Sequence, residues 1–450
     1  MKKSLMMAAI ALTMAGSSMA QTEKKLWSMS DCIGYALENN IQLQQSRLNR
    51  QSAQEDVLQA KAQLLPSLSA STGQNITYRP WVEQGMNAVT NGYVQSSIDK
   101  VYYNGSYGVN ANWTVWNGNQ NRNQVKMNEL TAEQSVLDSA MTANNIQEQI
   151  AQLYVQILYS NEAIEVNKQS LLTSKKNEER GQEMVRVGKM SKADLAQLTA
   201  QRAQDEYNIV AAESNMRNYK RQLKQLLQIT DNVEFDIKVP ATTDEQALDA
   251  IPALTTVYEE ALLMRPEIQN SQLAIKSSDL NLKIAKAYGM PTVGVSGTAG
   301  TNTTSMSSTG WGTQLKTNFD VGVGVNVSIP LIDNRKKKTA VNKANIQRQM
   351  AELDLKNQQT NLYSTIEGYW LEAVTNQEKF KAARISTQSE QQSYNLLSEQ
   401  FRLGLKNIIE LMTGKDKLLA AQQAELQSKY QTILNMQMLK FYQGKTIANL

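Results

Sequence analysis

The sequence predicts a mainly α protein with a β-barrel part, built from two copies of one structural repeat. An Arg-x-Gly turn sequence occurs twice, with Gly188 and Gly404 lying 216 residues apart, and an acidic residue and a leucine follow each copy at the same spacing. Both copies interrupt long, polar, glycine-poor stretches with helical periodicity, where a lone glycine marks a turn. Each half also contains two stretches in which apolar and polar residues alternate, the period of a two-faced β-strand. The predicted chain therefore combines long helical hairpins with amphipathic strands.

Residues 1–20 have the features of a secretory signal. Lys2 and Lys3 precede an apolar stretch, and the small residues around position 18 predict cleavage between Ala20 and Gln21. A buried N-terminal helix is the alternative. Loss of the two lysines lowers the formal net charge from +4 to +2. The mature chain is then nearly neutral, which argues against nucleic acid as a partner because such proteins carry a concentrated basic face.

Several chemistries are excluded by composition. Histidine is absent and Cys32 is the only cysteine, so the chain has neither an internal disulfide nor a His/Cys metal site. No phosphate-binding glycine loop and no nucleophile motif occurs, so we predict no enzymatic activity and no cofactor. No run of 18 apolar residues follows the signal, so no transmembrane helix is predicted. An exported protein of this kind is either soluble in the periplasm or an outer-membrane barrel.

The first repeat covers residues 21–229. Its predicted elements are a helix from about 30 to 63 that ends before Pro66, strands at about 67–78 and 101–116 around a loop, and a long helical hairpin turning at 186–190. The second strand alternates over about thirteen residues, enough to cross a bilayer when tilted. The helix that follows it is long enough to extend about 90 Å, and its apolar residues have coiled-coil spacing.

The second repeat covers residues 253–440 and has the same order of elements. A connector at 230–252, interrupted by prolines, separates the repeats, and residues 441–450 form a tail. The predicted elements are a helix over 253–287, strands at about 291–300 and 317–331 around a loop at 301–316, and a helical hairpin turning at 402–407.

The strands predict an oligomer. Each has one apolar face, suited to lipid, and one face of small polar residues, suited to water. Open sheet edges cannot remain in a membrane, and four strands cannot close because the smallest usual barrel has eight. Several copies must therefore share one barrel. Aromatic residues near the strand ends are candidates for interfacial girdles, with loop burial as the alternative for the first and last: Trp81, Tyr102, Tyr103, Trp113, Trp116 and Trp311.

Several short sequences in the chain resemble those of a known family. The sequences at 36–40 (Ala-Leu-Glu-Asn-Asn), 64–68 (Leu-Leu-Pro-Ser-Leu) and 329–333 (Ile-Pro-Leu-Ile-Asp), together with the paired turns, look like those of TolC-type outer-membrane efflux proteins. The resemblance covers roughly residues 30–440. It implies a homotrimer with a twelve-stranded β-barrel in the outer membrane of a Gram-negative bacterium and a twelve-helix periplasmic α-barrel.

The resemblance also implies a function. Such a protein is the exit duct of a tripartite efflux or type I secretion system, with a periplasmic adaptor (membrane fusion protein), an inner-membrane pump and outer-membrane lipid as partners. The cargo stays open among drugs, metals and proteins. A structural or adhesive coiled-coil protein of the cell envelope is the alternative, but it leaves the four strands unexplained. A stand-alone porin disagrees with the strand count.

The family resemblance also assigns candidate sites at the turns. Glu410 matches an acidic residue that lines the closed end, and Asp194, Lys406 and Phe401 match positions that link neighbouring helix pairs there. Phe401 lacks the hydroxyl expected at its position, and Lys406 lacks the planar fork of arginine, so the closing contacts are expected to be weaker or built differently. For Asp194 and Glu410, simple stabilisation of a helix N-terminus, worth about 0.3–1 kcal/mol, is the alternative.

The turn residues themselves are candidates for contact with the adaptor. Arg186, Gly188, Arg402 and Gly404 form the two tips in this interpretation. Plain turn formation is compatible with that role.

Overall fold

The computed structural model describes residues 26–81, 88–90, 93–95, 99–230, 235–240 and 244–447. The predicted signal and the Ala20–Gln21 cleavage site lie outside these ranges. The elements, in chain order, are β1 Leu26–Trp27, α1 Met29–Asn39, α2 Ile41–Ala62, β2 Ser67–Tyr78, β3 Ala88–Thr90, β4 Tyr93–Gln95, β5 Val101–Trp116, α3 Gln120–Arg186, α4 Lys192–Leu226, β6 Asp236–Ile237, α5 Asp244–Leu248, α6 Leu254–Met264, α7 Pro266–Ala287, β7 Thr292–Thr304, α8 Trp311–Thr317, β8 Asp320–Ser328, α9 Lys336–Arg402 and α10 Ile408–Tyr442.

The chain divides into two compact units. The sheet unit consists of Ser46–Ser139 and Pro266–Gln359, and the hairpin unit contains the rest of the chain, including Ala140–Arg265. Helices α3 and α9 are each 67 residues long, and each contributes its first part to the sheet unit and its last part to the hairpin unit.

The sheet unit contains one antiparallel sheet with the strand order β2-β5-β7-β8. The register gives it two different faces, because side chains of one row point to the same side. One row across the sheet is Ala70, Val109, Ala299 and Val321, and the adjacent row is Ser71, Gly108, Gly300 and Asp320. Within the described chain β2 and β8 each pair on one side only, so the sheet has two free edges.

A β-bulge changes the orientation of one predicted interfacial tryptophan. The register shifts between Thr114 and Trp116, and this shift sets Trp116 opposite Val293 while Trp113 lies opposite Val295. Both tryptophans therefore belong to the apolar face, whereas simple alternation would place Trp116 on the polar one. Trp113 also donates its Nε1–H to the Leu64 carbonyl at 2.9 Å, which ties the strand to the end of the preceding helical segment.

The other aromatic residues proposed for the girdle lie in different surroundings. Tyr102 pairs with Thr77 on the polar face, and the Arg79 guanidinium stacks over its ring at 4.7 Å. Loop burial, the alternative for Trp81, is wrong within the chain because this side chain is 93% exposed. Trp311 packs edge-on against Tyr107.

The second strand pair ends differently from the sequence-based expectation. β7 continues to Thr304, and most of α8 lies in the predicted loop at 301–316. The carboxamide of Gln314 accepts from the Thr304 N–H at 2.7 Å and donates to the Thr304 carbonyl at 3.0 Å. Asn318 Nδ2 donates to the Asn302 carbonyl at 2.8 Å. β7 extends past the end of β8, so its last residues have no strand beside them on that side. The side chains of Gln314 and Asn318 bond to the backbone there and cover this part of the β7 edge.

Within the hairpin unit, the isoleucines of the predicted coiled-coil seam in α3 are buried. Ile146, Ile150 and Ile157 are at most 1% exposed. In the connector, β6 pairs in parallel with β1. The Tyr154 hydroxyl donates to the Lys238 carbonyl at 2.5 Å, which anchors this part of the connector to α3.

Both repeats begin with two helices, where the sequence analysis expected one. In the first repeat the break is at Asn40, whose buried Oδ1 accepts from the Gln42 N–H at 2.9 Å and caps α2. In the second it is at Arg265, which Pro266 forces out of the helical conformation. The Arg265 guanidinium lies 4.2 Å from the Tyr442 ring centroid. The two breaks occupy matching positions, but different residues make them.

Candidate functional site

The two Arg-x-Gly turns have the same backbone. Gly188 and Gly404 both have φ of 75°, a left-handed conformation that glycine adopts without steric cost. The N–H of Lys189 bonds the Met184 carbonyl at 2.8 Å, and the N–H of Leu405 bonds the matching Gln400 carbonyl at 2.9 Å. These bonds close each long helix with a Schellman-type cap.

Each return helix begins with a side-chain cap. Ser191 Oγ accepts from the Asp194 N–H at 3.0 Å at the start of α4. Asn407 Oδ1 accepts from the Glu410 N–H at 2.9 Å at the start of α10, and Glu410 bonds back to the Asn407 N–H at 3.2 Å. The second return helix therefore has a complete capping box. At α4, Asp194 accepts from the Ser191 hydroxyl at 2.8 Å instead.

The two arginines before the glycines are exposed and internally paired. Arg186 contacts Glu183 at 2.5 Å and Arg402 contacts Glu399 at 2.7 Å. Their side chains are 75% and 55% exposed, so both guanidiniums lie at the surface of the described chain beside a carboxylate one turn earlier. Exposed pairs of this kind contribute little to stability.

Lys406 and Glu410 form an ion pair at the second turn. Lys406 Nζ lies 2.5 Å from Glu410 Oε1. The hydrogen bond from Lys406, followed by that from the Asn407 N–H, lowers the pKa of Glu410 from its ordinary value. Glu410 is therefore an ionised carboxylate whose charge is matched by a neighbouring ammonium.

Phe401 is part of an apolar cluster beneath the turns. It is 3% exposed and packs with Leu198, Tyr394, Ile408, Leu411 and Leu418. Since these residues come from both hairpins, Phe401 joins them by packing. A buried phenylalanine thus occupies the position where the sequence analysis expected a lost hydrogen bond.

The structure brings together only some of the predicted gate residues. Lys406 and Glu410 are in direct contact, while Asp194 bonds locally to Ser191 and Phe401 lies in the core. Sequence reasoning missed the capping residue Asn407, although an Asn followed three residues later by Glu is a recognisable capping-box signal. It also missed the contact between Lys406 and Glu410, for which the i,i+4 spacing was the available signal.

The described helices include none with an apolar stretch long enough to cross a membrane. No cluster of acidic or cysteine side chains that could hold a metal ion occurs in the part of the chain that the structure covers.

The chain is similar in sequence to known outer membrane efflux proteins. The model of the outer membrane efflux protein family matches residues 32–227 and 257–445. The outer membrane efflux protein BepC of Brucella suis biovar 1 (strain 1330) is 19% identical over 430 residues, which cover 95% of this chain and 87% of BepC.

Solved structures share the fold. A crystal structure of CusC superposes with a TM-score of 0.79 at 14% identity, over 93% of this chain and 92% of that one. The Campylobacter jejuni CmeC outer membrane channel gives a TM-score of 0.77 at 18% identity, over 94% and 87% of the two chains. Because the family model matches both repeats over most of their length, the chain belongs to the outer membrane efflux protein family.

Proposed function

We propose that this protein is the outer-membrane exit duct of a tripartite efflux system, through which an inner-membrane pump and a periplasmic adaptor pass cargo to the exterior. The observation that supports this proposal is the four-stranded sheet, which has one apolar face, one face of small polar residues and two free edges. Such a sheet is complete only when other copies pair with β2 and β8. Three copies would supply the twelve strands that the family resemblance implies.

The faces of the sheet support a water-filled bore. The polar face carries mostly serine, threonine, asparagine and glycine, which are small and uncharged. On the opposite face the valines of β8 are 55–80% exposed in the single chain. In the proposed assembly the valines meet lipid, and the small polar residues line the path of the cargo.

The turns are the proposed docking and gating region. The apolar residues beside the glycines are exposed: Val187 is 60%, Leu403 63% and Leu405 70% exposed. Together with Arg186 and Arg402 they offer a mixed apolar and cationic surface to the adaptor. Glu410 lies on the first turn of α10, and Lys406 lies in the loop before it. Three copies of this pair would form a ring of paired charges.

Fractionation and gel mobility test the proposal directly. We expect the mature protein in the outer-membrane fraction and a trimer on SDS gels run without boiling. A monomer in the soluble fraction would contradict the proposal and favour the coiled-coil envelope protein.

A matched pair of substitutions on β8 tests the orientation of the sheet. Val323→Lys puts a charge on the apolar face, which costs about 2–4 kcal/mol near the middle of a bilayer, so trimer recovery should fall. Asn326→Lys puts the same charge on the polar face of the same strand, where water solvates it, and should leave recovery unchanged. Equal recovery of the two variants would argue against a lipid-facing sheet.

A further inference from the structure

The two hairpins of one chain contact each other along a seam that is apolar near the turns. Leu198 of the first hairpin packs there against Phe401 and Leu411 of the second. Apolar packing of this kind is non-directional, so it specifies the axial register of the two hairpins less sharply than a directional polar contact does.

One such contact is the ion pair between Asp205 of α4 and Lys415 of α10. Lys415 Nζ lies 2.5 Å from Asp205 Oδ2, and the side chains are 5% and 1% exposed. It is the most deeply buried of the described ion pairs. It crosses between the hairpins, whereas the exposed pairs at the turns, Arg186–Glu183, Arg402–Glu399 and Lys406–Glu410, each join residues three or four positions apart.

All four long helices contribute to the surroundings of this pair. Ser174 of α3 donates its hydroxyl to the same Asp205 oxygen at 2.5 Å. Asn177 of α3 donates to the Tyr394 hydroxyl of α9 at 3.1 Å. Further out, Gln201 of α4 donates to Asp416 of α10 at 3.2 Å. The pair is therefore the centre of a small polar layer beneath the apolar cluster.

The pair is poorly suited to act as a simple stabiliser. Its second carboxylate oxygen, Asp205 Oδ1, is buried and has no hydrogen-bond partner among the described residues. Desolvation of two charges is costly, and a buried pair is repaid only when all of its bonding groups are satisfied. What the pair does provide is a single alignment, because any axial shift would separate two buried charges.

Its position relates this alignment to the proposed gate. Lys415 follows Glu410 by five residues on the same continuous helix, which corresponds to about 7.5 Å along the helix axis. A shift of α10 against α4 at Lys415 therefore moves Glu410 and Lys406 with it.

We infer that Asp205 and Lys415 are positioning residues that lock the axial register of the two hairpins and thereby hold the turn bearing Lys406 and Glu410 in place. The inference rests on the proposed channel function. It adds a lock within one chain, built from buried residues on the two return helices.

Channel recordings of four variants test the lock. Asp205→Asn and Lys415→Met each leave one partner without its opposite charge, and should raise the open fraction at zero voltage about tenfold or more, within the range of measured couplings. The double variant Asp205→Leu/Lys415→Met replaces the pair by apolar residues and should assemble normally yet stay open more often. The swap Asp205→Lys/Lys415→Asp restores a directional pair and should recover closure at least in part.

Two outcomes would overturn the lock. If the apolar double variant closes as well as the wild type, packing alone sets the register. If the swap leaks as much as the apolar double variant while both assemble, the directional pair has no role. Unboiled gels on each variant separate failed assembly from leakage.

A control uses an exposed pair on a helix of the same unit. Glu378→Gln removes the charge that lies 2.7 Å from Lys381. The side chains of Glu378 and Lys381 are 66% and 47% exposed, so the substitution should leave the open fraction unchanged. A wild-type protein that forms no channel at all would contradict the proposed function, a result distinct from failure of the lock.

Discussion

The two turns have the same backbone conformation but different surrounding side chains. Gly188 and Gly404 have the same φ, the capping hydrogen bonds agree within about 0.1 Å, and each turn has an Arg–Glu pair at the same spacing. The side chains around them differ. Val185 occupies the position that matches Phe401, and Met190 the position that matches Lys406. The turn geometry is thus shared, while the apolar anchor and the charge pair belong to the second turn alone.

Truncation of the anchor should produce the largest difference between the turns. Phe401→Ala empties a buried site and should cost about 3–5 kcal/mol of unfolding free energy. Val185→Ala removes a smaller, half-buried side chain at the matching position and should cost about 1 kcal/mol. Chemical unfolding followed by circular dichroism measures both values. Equal losses would mean that the second turn is no better anchored than the first.

Substitution of either turn glycine by alanine should lower the free energy of unfolding by the same amount, because the two turns share one backbone conformation. A Cβ at Gly188 or at Gly404 meets no atom within 4 Å, so alanine adds only the strain of a left-handed backbone, about 1–2 kcal/mol. The same unfolding experiment should give matching losses for Gly188→Ala and Gly404→Ala. A much larger loss at one of them would reveal contacts that the other turn lacks.

The turns were predictable from sequence because the constraint on them is local. A single glycine in a helical stretch, repeated at one offset, is enough to place both. The same holds for the alternating strands. The break at Arg265 also has a local cause, because Pro266 disfavours the helical conformation at the residue before it.

The contacts that cross the hairpins could not be predicted in this way. Asp205 and Lys415 are 210 residues apart, and each is one polar residue among many on a long polar helix. Their burial follows from which helix faces meet, which depends on the packing of all four long helices. The bulge before Trp116 is similar, since only the neighbouring strand reveals the shift in register.

The charge pair at the second turn should set ion selectivity. Glu410→Ala removes the carboxylate and leaves Lys406 unmatched, so the reversal potential in a KCl gradient should shift away from cations. Asp194→Ala, the matching change at the first turn, removes a carboxylate with no described lysine contact and should shift it less. Planar-bilayer recordings compare the two. No shift for Glu410→Ala would remove this residue from the proposed filter.

The smallest expected effect is a change in the pH at which that selectivity is lost. Lys406 is the main cause of the lowered pKa of Glu410. Since the folded pKa lies below the ordinary value of 4.5, the ionised carboxylate persists as the pH falls through 4.5 and is lost only at lower pH. Lys406→Met should raise the pKa of Glu410, so selectivity should increase at pH 7 and disappear at a higher pH than in the wild type.

A second lysine supplies the control for this titration. Lys417 lies on the same helix, is exposed, and is not among the groups that shift the pKa of Glu410. Lys417→Met should therefore leave the midpoint of the selectivity–pH curve in place. If both lysine variants move the midpoint equally, the net charge of the helix, and not the Lys406 contact, governs the titration of Glu410.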